Sequence, residues 1–456
     1  MPLVSTNPNT GRRIRAYREL TAGQIAEAVQ RAHTAFGDWR RLSFAQRARH
    51  LRAVARELRR DQAGLALLAT DEMGKPVTQA LAEVEKCAAA FDYYAAHGAR
   101  FLADEFPADA PGGRAFVTFQ PLGVVLAIMP WNFPYWQVFR AAAPALIAGN
   151  VLLLKHASNV TGCALAIARV FARAGVPRGV FQTLPVGSAR IEALLRHPHV
   201  RAVTLTGSIE AGRKVAAVAG SVLKKGVFEL GGSDPYVVLA DADLAAAAEI
   251  CAAARLVNSG QSCIAAKRFI VVERVRRKFE HLFVERMAAR RVGNPRVTAT
   301  EVGPLAREDL RAELHAQVER SVRRGARLLL GGRLPAGPGW FYPPTVLTDV
   351  RPGMPAYDEE LFGPVAAIIS ACNEADAIRI ANDSPFGLGA AVFTRNRRRG
   401  ERIAREQLDA GLAFVNDLVR SHPALPFGGV RDSGHGRELG LAGIREFVNV
   451  KTVSVA

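Results

Sequence analysis

Apolar positions recur every three to four residues through residues 21–100, in a stretch rich in Ala, Leu, Arg and Glu. That period predicts amphipathic helices. Thr21 has the side chain of an N-cap for the first of them, and Asp61 marks the start of another. The pattern breaks after Glu105, where Pro107, Pro111, Gly112 and Gly113 interrupt the chain. Residues 114–120 (RAFVTFQ) then read as a strand. From 121 to 260 short apolar runs alternate with helical patterns, the runs falling at 124–129, 151–154, 180–184, 202–206 and 235–239. This rhythm predicts a doubly wound α/β layer with a mostly parallel sheet. The second half repeats it, with strands at 269–272, 327–330, 365–370 and 412–415. The closing segment 448–455 alternates like a strand that pairs with another element.

Composition narrows the class. A chain of 456 residues exceeds one ordinary core and implies two or three domains. A hydrophobic fraction of 49% with 22% charged residues excludes a disordered chain. The net charge of +18 raises the question of nucleic acid. The basic residues are scattered, however, and the runs Arg59-Arg60, Arg276-Arg277-Lys278 and Arg397-Arg398-Arg399 read as solvated helix faces. An anionic cofactor or substrate uses the same field, so no nucleic acid partner is expected. Five widely spaced cysteines without a CxxC argue against a disulfide framework and against a metal site, and for a reducing compartment. The first residues have no apolar signal core, and the run 124–129 is too short to span a bilayer. The expected location is the cytoplasm, with no membrane partner.

Candidate chemistry comes from a few short motifs. No GxGxxG follows a strand, but the run 202–206 leads into Gly207-Ser208 and a helix, a turn of the kind that binds phosphate. GSIEAGRK superficially resembles a P-loop, yet Arg213 stands where its lysine belongs. Cys263, in NSGQSCIAAKRF, has small polar neighbours that leave its sulfur accessible; a thiol of ordinary pKa is only slightly ionised at pH 7 but strongly nucleophilic. A buried inert cysteine is the commoner environment. Glu229 lies between Phe228 and Leu230, and apolar surroundings raise a carboxyl pKa toward that of a general base at neutral pH. The plain alternative is a surface Glu at a strand end. Asn132, in MPWNFP, is an amide able to donate to an oxyanion, or else an ordinary turn residue.

Together the motifs are more specific than any one of them. PWNFP at 130–134, Lys155 after an apolar run, TGS at 206–208, ELGG at 229–232, GQSC at 260–263, EELFGPV at 359–365 and PFGGVRDSGHGRE near the end occur in one order over essentially the whole chain. In order, spacing and content they resemble the aldehyde dehydrogenase superfamily. The resemblance implies a Rossmann-like cofactor domain (1–102 and 122–231), a catalytic α/β domain (232–432) and a small β oligomerisation arm (103–121 and 443–456). It implies Cys263 as nucleophile, Asn132 and the Cys263 N–H as oxyanion donors, and Glu229 as the base for thioester hydrolysis. It implies cofactor contacts from Ile128, Trp131 and Asn132, from Lys155 at the adenine ribose, and from Gly207 and Ser208 at the pyrophosphate. Leu230, Glu360 and Phe362 fall at the nicotinamide end.

Two departures carry information. Many NAD-preferring members have Glu three residues after the lysine, where this chain has Ser158. Ser lifts the repulsion of a 2′-phosphate, so NADP is expected as the preferred cofactor with NAD also accepted. Asn449 stands where some members have Glu, which speaks against a catalytic role there. The wider context is similar to a bacterial succinate-semialdehyde dehydrogenase branch. Arg140, two turns into the helix after Asn132, and Ser421 fall at tunnel positions where they suit a distal carboxylate. The expectation is a homodimer or homotetramer that oxidises succinate semialdehyde. Alternatives are glutarate semialdehyde, an aliphatic aldehyde, transfer of the thioester to coenzyme A (against which Glu229 speaks), and a non-catalytic basic binding protein.

Overall fold

The computed structural model describes residues 3–110 and 114–455, so Pro111, Gly112 and Gly113 of the expected break lie outside the described residues. Strands β1 (Leu3–Thr6) and β2 (Arg13–Tyr17) pair antiparallel and lead into helices α1 (Ala22–Trp39), α2 (Phe44–Arg60), α3 (Gln62–Met73) and α4 (Val77–Phe101). Thr21 caps α1 as expected. Its hydroxyl accepts from the Gln24 amide at 3.3 Å, and the Gln24 side chain accepts from the Thr21 amide at 2.9 Å. This reciprocal box satisfies two donors that a helix start otherwise leaves open. Asp61 stands at the N-cap of α3 but makes no side-chain cap bond.

After β3 (Arg114–Pro121) the chain alternates through β4 (Val124–Met129), α5 (Trp136–Ala148), β5 (Val151–His156), α6 (Thr161–Arg173), β6 (Phe181–Thr183), α7 (Ile191–Arg196), β7 (Val200–Thr206), α8 (Ile209–Ser221) and β8 (Lys225–Glu229). It continues through β9 (Pro235–Val238), α9 (Leu244–Leu256), β10 (Arg268–Val272), α10 (Glu273–Ala288) and α11 (Glu308–Arg323). The remaining strands are β11 (Arg327–Leu330), β12 (Thr345–Thr348), β13 (Val365–Ala371), β14 (Gly389–Phe393), β15 (Leu412–Val415), β16 (Gly434–His435) and β17 (Val448–Val455).

Two sheets organise these strands. One has the order β16-β8-β7-β4-β5-β6, the other β11-β12-β13-β10-β9-β14-β15. Both are parallel except at one edge each, where β16 and β11 run antiparallel. Helices cover the faces, so β4 and β9 are buried along their whole length and read as unbroken apolar runs. Strands β1, β2, β8, β12, β14 and β16 are not in the pattern of apolar runs. β14 is Gly-Ala-Ala-Val-Phe, too small in side chain for a strand signal, and becomes one because β9 and β15 pair with it on both sides.

The chain crosses from the C-terminal end of β8 to the N-terminal end of β9 within residues 230–234. The C-terminal edge of the first sheet therefore meets the N-terminal edge of the second, and loops from both line one cleft. Apart from these layers, β17 pairs antiparallel with β3 from Val448–Pro121 to Val455–Arg114, as a two-stranded sheet of its own.

Candidate active site

In the first sheet β4 is followed in sequence by β5 on one side and, later, by β7 on the other. Such a reversal of strand order opens a crevice beyond the C-terminal strand ends, where helices diverge to opposite faces. Pro130, Trp131 and Asn132 leave β4 there, and Gly207 and Ser208 leave β7. Ser208 caps α8, its hydroxyl accepting from the Ala211 amide at 3.3 Å. Gly212 on the same helix lies so close to Leu230 that a Cβ would fall 2.5 Å from its side chain. Small residues thus bring α8 down on the strand ends without a GxGxxG pattern. Arg213 donates to Asp432 at 2.9 Å on the surface, so it is not a phosphate-binding counterpart of a P-loop lysine.

The cleft has a volume of about 700 Å³, within the range that holds cofactor-sized ligands. Trp131, Asn132, Gly207, Ser208, Leu230, Cys263, Glu360 and Phe362 all line it, with α11 closing the far wall through Leu310, Leu314 and Gln317. Trp131 and Phe362 meet edge to face at 5.7 Å. Glu360 accepts from the Gly232 amide at 3.2 Å and lies 3.3 Å from the Lys267 ammonium. Ile128, Lys155 and Ser158 lie outside this lining. Ile128 and Lys155 are register partners near the ends of β4 and β5, and Ser158 opens the short 3-10 turn before α6. They extend the same strand-end surface sideways, toward Glu19, whose charge acts on Lys155.

Cys263 is held on a strained loop. Asn258, Ser259 and Gly260 follow one another in the left-handed region, with φ of 52°, 56° and 77°. A Cβ at Gly260 would lie 2.2 Å from the Gly363 carbonyl oxygen, so only glycine fits. Strain of about 1–3 kcal/mol per non-glycine residue persists only where surrounding bonds fix it. Those bonds are present: Ser259 Oγ accepts from the Gly303 amide at 2.9 Å, and the Gln261 side chain accepts from the Ala306 amide at 2.9 Å. Lys267, fully buried, donates to the carbonyls of Ser262 at 2.9 Å and Cys263 at 2.8 Å. Asn132 is tied to the same loop. Its carbonyl accepts from Asn258 Nδ2 at 2.7 Å, and its own Nδ2 donates to the Gln261 carbonyl at 3.1 Å. One of its two amide hydrogens remains for a ligand, in the cleft that Cys263 also lines.

The electrostatics differ from the sequence expectation at the sulfur. Cys263 is half-buried, and desolvation pushes its thiol up to about 12, although the charges of Arg140 and Lys267 pull it down. The ordinary, slightly ionised thiol read from the sequence is therefore not the state of this arrangement. Glu229 is 1% exposed, as its apolar neighbours foretold, and neither carboxylate oxygen has a hydrogen-bond partner among the described residues. Burial raises its pKa far above the carboxylate range, with the neighbouring Glu438 adding to the effect. Its carboxyl lies against Gly428 and is not part of the cleft lining.

Arg140 is not a surface charge. It is 2% exposed, forms an ion pair with Glu438, donates to Thr206 Oγ1 at 3.3 Å and stacks 4.7 Å from the Phe427 ring centre. With Ser421 and Cys263 it lines a second, smaller cavity of about 130 Å³ behind the sulfur. Glu438 and Lys267 were missed by motif reading. Glu438 ends the PFGGVRDSGHGRE stretch and Lys267 follows the cysteine by four residues, but neither spacing announces a buried charge.

Two mostly parallel sheets thus meet at a cleft lined by Cys263 and Asn132, with Glu229 buried at the end of the adjoining strand. The chain belongs to the aldehyde dehydrogenase family, whose sequence profile matches residues 2–453. It is 51% identical over 459 residues, covering 100% of both chains, to succinate-semialdehyde dehydrogenase [NADP(+)] 1 of Mycobacterium tuberculosis (strain ATCC 25618 / H37Rv). It is 47% identical, again over 100% of both, to a probable succinate-semialdehyde dehydrogenase [NADP(+)] of Synechocystis. The crystal structure of succinic semialdehyde dehydrogenase from Streptococcus pyogenes in complex with NADP+ superposes with a TM-score of 0.97 at 35% identity, over 99% of each chain.

Proposed function

We propose that this protein oxidises succinate semialdehyde to succinate, with NADP+ as the preferred acceptor and NAD+ as a second. The observation that carries this reading is that Cys263 stands where two cavities meet. One is large and lined by the Gly207-Ser208 turn, and the other is small and lined by Arg140 and Ser421. The relatives named for the same reaction with NADP+ support it.

In this reading the Cys263 thiol gives up its proton to water in the cleft, and the thiolate sulfur attacks the aldehyde carbon to give a tetrahedral hemithioacetal. The free amide hydrogen of Asn132 and the Cys263 N–H stabilise its oxyanion; one such donor contributes about 3–4 kcal/mol. Gly207, Ser208, Glu360 and Phe362 hold a dinucleotide in the larger cavity, with Trp131, Leu230 and Ile128 beside it, and Lys155 and Ser158 meet its adenine ribose. When bound, the nicotinamide supplies the two-electron acceptor. Glu229 then takes a proton from the water that hydrolyses the Cys263 thioester. For that step its carboxyl leaves the Gly428 backbone for the cleft, where hydration lets it ionise; the rotation breaks no hydrogen bond of its two oxygens among the described residues. Arg140 and Ser421 give the inner cavity its polar face.

The same reading assigns residues 1–102 and 122–231 to cofactor binding, 232–432 to catalysis, and 103–121 with 443–456 to an arm. The arm joins copies into a dimer or tetramer that works in the cytoplasm. Among the described residues no helix is long and apolar enough to cross a membrane. The test is absorbance of reduced nicotinamide with succinate semialdehyde and each cofactor in turn. Turnover with NADP+ exceeding that with NAD+, and its loss on alkylation of Cys263 or in Cys263→Ser, is expected. Undiminished turnover in Cys263→Ser would end the proposal.

A further inference from the structure

The inner cavity behind Cys263 is bounded by apolar side chains, chiefly Phe133, Trp136 and Phe427. At about 130 Å³ it is well below the roughly 300 Å³ at which drug-sized ligands begin to fit, so its occupant is small. A second, more open pocket of about 420 Å³ lies between α4, α9 and the 290–301 segment. The two share Phe133, Trp136, Val257 and Lys86. A molecule moving from the outer pocket toward the sulfur therefore passes the Lys86 side chain.

Three cations border the inner cavity, and they are not equivalent. Arg420 is paired with Asp417 at 2.7 Å. The charge of Arg140 is committed to the carboxylate of Glu438. Lys86 makes no ion pair among the described residues. Its ammonium donates to Ser421 Oγ at 2.7 Å and sits 4.4 Å from the Trp136 ring centre. Both partners are neutral. Desolvation first, and the charge of Arg140 second, lower its pKa to about 8, so near pH 7 it is still mostly an ammonium. A partly desolvated cation with only neutral contacts gains strongly from a carboxylate, because charge-assisted hydrogen bonds are about twice as strong as neutral ones.

We propose that Lys86, with Ser421 beside it, holds the far carboxylate of an ω-oxo acid whose aldehyde end lies at Cys263, and so selects a charged substrate over an uncharged aldehyde of the same length. Arg140 then shapes the wall and anchors Glu438, while Lys86 reads the charge. The inference rests on the proposed oxidation of succinate semialdehyde and names a residue that sets its specificity.

The experiment compares wild type, Lys86→Met and Lys86→Arg for NADPH formation from succinate semialdehyde and from butanal. In Lys86→Met the ratio of kcat/KM for the acid aldehyde over butanal falls by about 10- to 100-fold, chiefly through KM. Lys86→Arg, which keeps the charge, retains most of the ratio. An unchanged ratio in Lys86→Met overturns the inference. So does an equal fall for both aldehydes, which marks a structural role. Lys86→Gln is read in the same way if the methionine variant does not fold. A wild type that shows no preference for succinate semialdehyde over butanal overturns instead the substrate reading on which the inference stands.

Discussion

Glu229 shows how one residue is placed for chemistry at the expense of stability. A carboxyl whose folded pKa lies above its unfolded value adds full stability only below the unfolded value, near 4.5. That contribution drains away as pH climbs toward the raised folded pKa. Glu229→Gln removes the effect, so the variant melts at a higher temperature than wild type at pH 8, and the gap narrows as pH falls toward 4.5. Thermal melts across that range check the sign; a wild type more stable at pH 8 contradicts it. The same variant slows deacylation by about 10²- to 10⁴-fold, and intact-mass spectrometry finds the acyl adduct on Cys263. At Ser158 the prediction concerns cofactor choice. Ser158→Glu places a like charge at the position proposed for the 2′-phosphate, a juxtaposition that disfavours binding by several kcal/mol. The ratio of kcat/KM for NADP+ over NAD+ then falls by at least about tenfold, and an unchanged ratio removes Ser158 from the adenine site.

At the scale of elements, buried carboxylates position the helices that carry the site. Glu83 on α4 accepts from the amides of Tyr135 and Trp136, both at 2.8 Å, and so closes the start of α5, between Asn132 and Arg140. It also pairs with Lys75, itself 1% exposed, whose ammonium lies 3.8 Å from the Phe133 ring centre. Glu72 does the same for α6, accepting from the amides of Gly162 at 3.0 Å and Cys163 at 2.9 Å. Removing one member of a buried pair leaves the other charge uncompensated, at a cost of about 3–5 kcal/mol. Glu83→Ala therefore lowers the denaturation midpoint sharply and impairs turnover, whereas a surface change such as Glu210→Ala leaves the midpoint nearly unmoved. Equal midpoints for the two variants would contradict a capping role for Glu83.

For the whole molecule, the charge of +18 is less available than the number implies. Each basic run supplies internal ion pairs: Arg59 with Glu85 and Asp92, Arg276 with Glu273, Glu280 and Asp349, and Arg399 with Asp241 and Glu374. The β3–β17 ladder stands out for the opposite reason. Apart from one bridge between Glu105 and Val117, its outer edges are unpaired among the described residues, and Phe106, Val450 and Val455 are exposed beside or on it. A two-stranded sheet is marginal alone, and free edges invite pairing with another chain. Deleting residues 448–456 is expected to turn a multi-subunit particle into a single chain by light scattering. A monomeric wild type would refute the arm.

The sequence by itself determined the alternation of strand and helix, because full burial demands unbroken apolar runs such as 124–129 and helix faces demand a period near 3.6. It also made Cys263, Asn132 and Glu229 visible, since side-chain type limits which groups can attack, donate or take a proton. Tertiary structure alone decided what surrounds them. The pairing of Arg140 with Glu438 spans almost three hundred residues of chain, and that of Lys86 with Ser421 more than three hundred. No local pattern encodes such contacts; they arise where two sheets are joined edge to edge through residues 230–234. Desolvation at that junction sets the proton affinity of the sulfur and of the carboxyl, and desolvation is a property of packing, which no short motif contains.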